Sequence, residues 1–245
     1  MDSGFYAACA GLRAQSQALE VSAHNLANVN TAGFRGQQTT FQSLLAVASP
    51  TVPTVLNLAT NNFGVLEGSH LDLTAGNLEH TGNPLDLGLE GAGFFVVQTA
   101  GGTRYTRNGN FRVASSGELV TAAGDPVLGD NNRAIQVPAG SISVSADGTL
   151  SVNGAAAGQI QLVEFAPGTR LTAEGATLVA APGGSAQPAK QTAIQQGTLE
   201  SSNVNAITSV MTLIGVQRHA EMLQRALSMF DSEFNRIATS ELSRV

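Results

Sequence analysis

The strongest constraint in this sequence is an apolar stripe near its C-terminal end, where Val216, Ala220, Leu223, Leu227, Phe230, Phe234 and Ile237 recur at alternating steps of four and three. That repeat predicts a helix with a coiled-coil seam, because a mean step of about 3.5 residues keeps one line of side chains facing a partner. Val204, Ile207, Met211 and Ile214 keep the same spacing in a different phase, so the stripe shifts near Gly215, where a bend or a change of partner is expected. The N-terminal end carries a thinner version. Phe5, Leu12, Leu19 and Leu26 lie seven apart, with small or polar residues such as Ala8, Gln15 and Ser22 between them. Burying one Leu or Phe contributes about 1.5–3 kcal/mol, while ordering each backbone residue costs about 1–2 kcal/mol. Both helices therefore need a partner surface, and in isolation they would be mostly unfolded. The Glu221 to Arg225 pair adds a few tenths of a kcal/mol at most, so packing must dominate.

The middle of the chain has a different character. Gly36 to Leu66 carries no charged residue and includes Pro50 and Pro53, which predicts extended or irregular backbone. From about Glu67 to about Lys190 short alternating runs are separated by turn signals. Leu85, Leu87 and Leu89 alternate with Asp86, Gly88 and Glu90, and Phe94 to Val97 is a continuous apolar run. Asn108-Gly109, between Arg104–Arg107 and Asn110–Val113, is a strong hairpin signal, and Asp147-Gly148 and Asn153-Gly154 mark further turns. Strands are expected at Ile142–Ser145, Thr149–Val152 and Gln159–Phe165, with Ala181–Ala189 as the exit loop. The chain is thus expected to begin and end in helices, with an all-β module inserted between them.

Charge narrows the choice of function. Twelve Lys plus Arg against 18 Asp plus Glu give a net charge of -6, and Lys190 is the single lysine, so binding to nucleic acid through phosphate neutralisation is not expected. The first ten residues hold Asp2, no basic residue and a broken apolar pattern, unlike a secretory signal peptide. No run approaches the roughly 20 apolar residues of a membrane span. Cys9, the single cysteine, rules out an intramolecular disulfide and any CxxC metal site.

Five separated segments share a resemblance. His24 to Gly36 reads HNLANVNTAGFRG and resembles the signature of bacterial flagellar axial proteins, the rod and hook subunits. TGNPLDLGLEGAGFFVV from Thr81, YTRNGNFRV from Tyr105 and ELVTAAGDPVLG from Glu118 look like the β module of the FlgF/FlgG family of rod subunits. GTLESSNVN, from Gly197 to Asn205, looks like the approach to that family's C-terminal helix. His24 and Val29 depart from the usual signature. The 245-residue length and the QRHAEMLQRALSMF ending look more like the proximal-rod branch than the distal-rod branch.

The signature also has a physical reading. Asn25, Asn28, Asn30 and Thr31 supply amide and hydroxyl groups for loose backbone at a helix end, Gly33 supplies a freely turning position, and Leu26 and Phe34 anchor the junction. The resemblance implies a terminal helical core lining an axial channel and an outer β domain. It also implies export through the flagellar type III apparatus without cleavage, and Phe41 to Leu45 resembles the gate-recognition motif of early export substrates. The C-terminal stripe can serve as an internal core or as a seam between subunits; the N-terminal heptads and the resemblance favour the seam.

Enzymatic candidates fare poorly beside plainer readings. Cys9 and His24 lie about 22 Å apart along a straight helix, too far for a nucleophile and its base. His70, Asp72, Glu79 and His80 match no recurrent metal-ligand spacing. Gly88, Gly91 and Gly93 have the wrong order for a dinucleotide loop, and Glu118, Asp125 and Asp130 lack the aromatic residues of a carbohydrate cleft.

The expected fold class is α+β, with N- and C-terminal helices (1–35 and 196–245) pairing as a coiled-coil-like core, an extended arm (36–66) and a β domain (67–195). The expected function is a non-enzymatic rod subunit of the flagellar basal body in the periplasmic space, with no cofactor, metal or membrane insertion. Its partners would be copies of itself, other rod and hook axial proteins, and the export gate during secretion. Assembly contacts are assigned to Phe5, Leu12, Leu19, Leu26, Val216, Leu223, Leu227, Phe230 and Phe234. The alternatives are a distal-rod subunit and, in another class, a secreted β-rich carbohydrate-binding module or enzyme.

Overall fold

The computed structural model describes residues 2–43 and 64–242, with side chains at 9–39, 69–229, 232 and 236. It has an α+β composition, with one long helix near each end and antiparallel strand pairs between them. The chain divides into two compact units, one of Met1–Leu26, Gln37–Ser69 and Ala206–Val245, the other of Ala27–Gly36 and His70–Asn205.

In the first unit, helix α1 spans Asp2–Ala27 and helix α2 spans Ala206–Leu242. Ala14, Ala18 and Ser22 form the most buried line of α1, while the larger Leu12, Leu19 and Leu26 beside them are half-buried. Helix α1 stops at Ala27, so residues 28–35 of the segment expected to be helical are turn and loop. Likewise α2 starts at Ala206, and the residues from 196 up to it are strand and loop. Strand β1 (Gln37–Ser43), inside the stretch expected to be extended, pairs with β2 (Gly64–Leu71), which runs from the end of that stretch into the expected β domain.

The phase shift expected at Gly215 does not break α2. The helix passes through Gly215 uninterrupted, and a Cβ there would meet nothing within 4 Å. At about 100° per residue, Ile207, Met211, Ile214, Met222 and Met229 fall on one side of α2, and Leu213, Val216, Ala220, Leu223 and Leu227 on the opposite side. The first set is exposed and the second half-buried. The two phases are two opposite faces of one straight-running sequence.

The second unit is a β unit built around β5 (Phe94–Thr99). This strand lies inside a six-stranded antiparallel sheet, between β6 (Gly102–Thr106) and β12 (Leu162–Phe165). Successive side chains of a strand point to opposite faces, which explains its unbroken apolar run. Phe95 and Val97 enter a core with Leu87, Leu119, Val127, Leu150 and Ile160; Phe94 and Val96 enter another with Leu128, Val163 and Val179. Edge-on aromatic pairs mark both sides, Phe95 with Phe111 at 5.0 Å and Phe94 with Phe165 at 5.5 Å.

The Asp147-Gly148 and Asn153-Gly154 signals do connect paired strands, β9 (Ile142–Val144) to β10 (Thr149–Val152) and β10 to β11 (Ala155–Gln159). Asn108-Gly109 does not make a hairpin. The preceding β6 pairs with β5 and β14 (Leu178–Ala180), whereas the following β7 (Phe111–Val113) pairs with β8 (Leu119–Thr121). Gly109 is needed there for close approach: its carbonyl accepts from the Leu87 amide at 3.0 Å, and a Cβ would lie 1.8 Å from the Leu87 oxygen. The expected exit loop likewise contains a strand, β15 (Ala186–Pro188), which pairs with β12.

A return to the first strands closes the unit. Strand β16 (Ala193–Gln196) pairs with β4 (Leu87–Glu90), and β17 (Thr198–Glu200) with β3 (Leu78–His80). Just before β16, the Thr192 hydroxyl donates to Glu164 Oε1 at 2.8 Å and accepts from the Gly93 amide at 2.9 Å. That hydroxyl is the leading cause holding the Glu164 carboxyl below the usual carboxylate range. Because its folded pKa is depressed, Glu164 favours folding above its unfolded pKa, and the contribution is lost as pH falls through the folded value. Thr192→Val is expected to return Glu164 toward the ordinary range, read from the carboxyl carbon resonance during an acid titration; an unchanged midpoint would contradict the assignment.

Candidate functional site

Residues from three of the quoted motifs meet inside the β unit. The residues after α1 turn on local hydrogen bonds, with the Thr31 amide donating to the Asn28 carbonyl at 3.1 Å and the Thr31 hydroxyl to Asn28 Oδ1 at 3.2 Å. Gly33 follows with φ +67° and donates its amide to the Glu200 carbonyl at 2.7 Å. A Cβ on Gly33 would stand 2.3–2.6 Å from backbone atoms of Arg107 and Asn108, so both the conformation and the space demand glycine. Phe34 is fully buried next to it.

Arg35 then places its guanidinium against Glu200, with Nη2 donating to Oε1 at 2.6 Å. Oε1 also accepts the Gly76 amide at 2.8 Å, while Oε2 accepts Arg107 Nη1 at 3.3 Å. The side chains of Arg35 and Arg107 are 2% exposed and that of Glu200 1%. Arg107 donates further to the carbonyls of Leu89 and Gly91 and lies over the Phe94 ring, 5.1 Å from its centroid. Burial pushes the Arg107 guanidinium down to about 10, against the pull of the Glu200 carboxylate, and the like charge of Arg35 adds to the lowering. Arg107 is therefore charged at neutral pH, and the Glu200 carboxylate pairs with both buried guanidinium groups. Arg35 Nε and Nη1 and Arg107 Nε find no hydrogen-bond partner, so the whole arrangement leans on Glu200.

Two asparagines bracket the strand that leaves this cluster. In the β unit, Asn203 accepts the Gly36 amide through Oδ1 at 2.8 Å and donates Nδ2 to the Asp72 carbonyl at 2.9 Å. The Gly36 carbonyl accepts the Asp72 amide at 2.8 Å. In the other unit, Asn25 imitates a neighbouring strand: Nδ2 donates to the Gln37 carbonyl at 2.8 Å and Oδ1 accepts the Gln37 amide at 2.9 Å. An asparagine can do this because its amide carries the same donor and acceptor as a peptide bond.

Chemically this is a tie, with no reactive group in it. Both carboxylate oxygens of Glu200 are occupied by donors and closed off from solvent, and no nucleophile stands beside them. Cys9 is exposed on α1. Among the described residues no three His, Cys, Asp or Glu side chains gather as a metal site. Asp72 Oδ1 accepts from the Thr74 amide and hydroxyl, Glu118 accepts from Ser116 and Gln136, and the Asp125 carboxylate faces the Thr121 hydroxyl.

Of the assembly contacts assigned from sequence, Leu12, Leu19, Leu26, Val216, Leu223 and Leu227 are half-buried on the two helices. Phe5, Phe230 and Phe234 fall in helical backbone, with side chains outside the described residues. Phe41 is on β1, its side chain outside the described residues, as is Leu45 altogether. In the signature, Asn25, Asn28, Thr31, Gly33 and Phe34 have the partners or burial given above; Asn30 is exposed. Sequence reasoning missed Arg35, Arg107, Glu200 and Asn203 as one group. A signal was available: in a chain only 12% charged, Arg35, Arg107 and Glu200 each stand between two uncharged residues within a quoted motif.

The same segments are those that match known proteins. The model described as "Flagella basal body rod protein" matches residues 5–35, and that described as "Flagellar hook protein FlgE/F/G D1 domain" matches 88–152. A third, "Flagellar basal body rod FlgEFG protein C-terminal", matches 195–239. The chain is 32% identical to the flagellar basal-body rod protein FlgF of Caulobacter vibrioides over 100% of both chains. It is 36% identical to FlgF of Salmonella typhimurium over 96% of this chain and 97% of that one. It is 32% identical to the rod protein FlgG of Bacillus subtilis over 92% and 94%. Arg35 and Glu200 thus lie in the two terminal rod-protein matches and Arg107 in the central one. From the order of its motifs and this end-to-end similarity, the chain belongs to the FlgF/FlgG family of flagellar basal-body rod proteins and is most like FlgF.

Proposed function

We propose that this chain is a proximal-rod subunit whose terminal helices pack with copies of itself and with other rod and hook axial proteins. In this reading α1 and α2 pair as a coiled-coil-like core and the β unit forms the outer layer. The assembled rod transmits torque and encloses the export channel. The subunit has no enzymatic role. It reaches the rod through the flagellar export gate without cleavage, and Phe41 and Leu45 belong to the segment the gate reads.

The observation that carries this reading is the two-faced α2. A helix needs one apolar face to pack on its own chain, and α2 has a second one, opposite, that is exposed in the single subunit. Apolar residues on both sides suit a helix in the middle of a layer. Leu227 belongs to the half-buried face and serves as the test. Leu227→Asp places a carboxylate in a packed seam, and the variant is expected to be about tenfold or more depleted from isolated basal bodies. The β unit, which does not contain Leu227, should keep its urea midpoint. Rods with a normal complement of the variant would sink the proposal.

A further inference from the structure

The segment that enters the β unit from α1 and the segment that leaves it for α2 lie side by side. The Gly33 amide donates to the Glu200 carbonyl at 2.7 Å, the Asn203 amide to the Phe34 carbonyl at 3.4 Å, and the Gly36 amide to Asn203 Oδ1 at 2.8 Å. Arg35 adds its ion pair to Glu200 at 2.6 Å. Residue numbers rise together along the two segments, so both run in the same direction. A third piece of chain crosses them. The Asp72 amide donates to the Gly36 carbonyl at 2.8 Å, the Asp72 carbonyl accepts Asn203 Nδ2 at 2.9 Å, and the Ser201 amide donates to the Asn77 carbonyl at 2.8 Å.

The shared direction decides how this contact fails under tension. Helix α1 ends at Ala27, upstream of Gly33, and α2 begins at Ala206, downstream of Asn203. Tension between the two helices therefore draws one segment toward its N-terminal end and the other toward its C-terminal end. That pull slides parallel segments along each other and strains every bond between them at once. An antiparallel pair would open from one end, each bond meeting the full force in turn.

We propose that residues 33–36 and 200–203 form a mechanical clamp loaded in shear, which passes tension between α1 and α2 across the root of the β unit and keeps it off the strands. The clamp follows from bonds within the β unit; its use, holding that unit in shape while the rod turns, rests on the rod reading. Arg35 and Glu200 are 165 residues apart in sequence, so while the clamp holds, that whole length is out of the line of force. Once it parts, the same length can extend by about 550–600 Å at about 3.3–3.6 Å per residue. Burial strengthens the clamp: the Arg35 and Glu200 side chains are shut off from water, which therefore cannot stand in for the ion pair as it is stretched.

The test holds single full-length chains at a fixed force in magnetic tweezers. Cys9 is replaced by Ser so that handles attach only at introduced cysteines, placed at the exposed positions Ala27, Gln195 and Ala206. In C9S/A27C/A206C the clamp is loaded in shear. In C9S/A27C/Q195C both handles lie upstream of their segments, so the same bonds are peeled. At one force the sheared clamp is expected to last about tenfold longer or more than the peeled one, with no lengthening of the chain before it parts. Asn203→Ala in the sheared chain removes the bonds to Gly36 and Asp72 and is expected to shorten that lifetime about tenfold or more. Equal lifetimes in the two directions, lengthening before the clamp parts, or an unchanged lifetime in Asn203→Ala overturns the proposal. The measurement needs no rod: a normal complement of Leu227→Asp in basal bodies would remove the rod reading and leave these lifetimes as they are.

Discussion

Glu200→Met is expected to cost the β unit about 3–5 kcal/mol, the range for removing one partner of a buried ion pair. The side chain is 1% exposed and accepts from Arg35, Arg107 and the Gly76 amide, so its loss strands two guanidinium groups in the interior. The measurement is urea unfolding followed by far-ultraviolet circular dichroism, in which the midpoint should fall with little change in slope. Glu200→Gln should fall between wild type and Met, since the amide oxygen still accepts while the charge is gone. Arg35→Met completes the cycle. It should be costly in the native background and much less so beside Glu200→Met, with a coupling of about 1.5 kcal/mol or more. Glu200→Met within about 0.5 kcal/mol of wild type would show that the ion cluster holds nothing together.

Gly33→Ala is the second large effect, about 2–5 kcal/mol. The left-handed backbone at φ +67° costs a residue with a Cβ about 1–2 kcal/mol, and forcing a methyl into a filled space costs about 1–3 kcal/mol more. The space is filled by backbone of Arg107 and Asn108, which cannot swing aside as a side chain can. Gly175→Ala separates the two contributions. Gly175 has φ +70° with nothing within 4 Å of its Cβ position, so only the conformational part should appear there. Equal midpoints for the two variants would mean that the tight approach at Gly33 carries no energy.

Much of the β unit was legible because its signals are local. Leu87 and Leu89 lie in the core, Phe94 to Val97 is a central strand, and the two turn glycines at 148 and 154 adopt the left-handed backbone their hairpins require. Asn108-Gly109 misled for a reason no local rule contains. Its glycine accepts the Leu87 amide and leaves room for the Leu87 carbonyl, and the strands on either side choose partners elsewhere. The stripes of α2 were read correctly as spacing and wrongly as a shift, because a sequence written on one line does not distinguish a change of phase from two faces of one helix. The buried cluster was hidden most deeply. Arg35 and Glu200 are 165 residues apart, and Arg107 and Glu200 are 93 apart, so their meeting is a product of the sheet topology.

That meeting closes the chain on itself. The Gly33 amide on the Glu200 carbonyl and the Asn203 amide on the Phe34 carbonyl hold the stretch leaving α1 beside the stretch leading into α2. The two helices are therefore tethered reactants with a common root. Tethers this short give effective concentrations in the millimolar range, whatever the concentration of the protein itself. A seam of one large side chain per heptad, too weak to hold separate peptides together, can be adequate between helices joined in this way. On the proposed pairing of α1 with α2, a free α1 peptide added to the intact subunit would have to reach that effective concentration before it competed with the tethered helix.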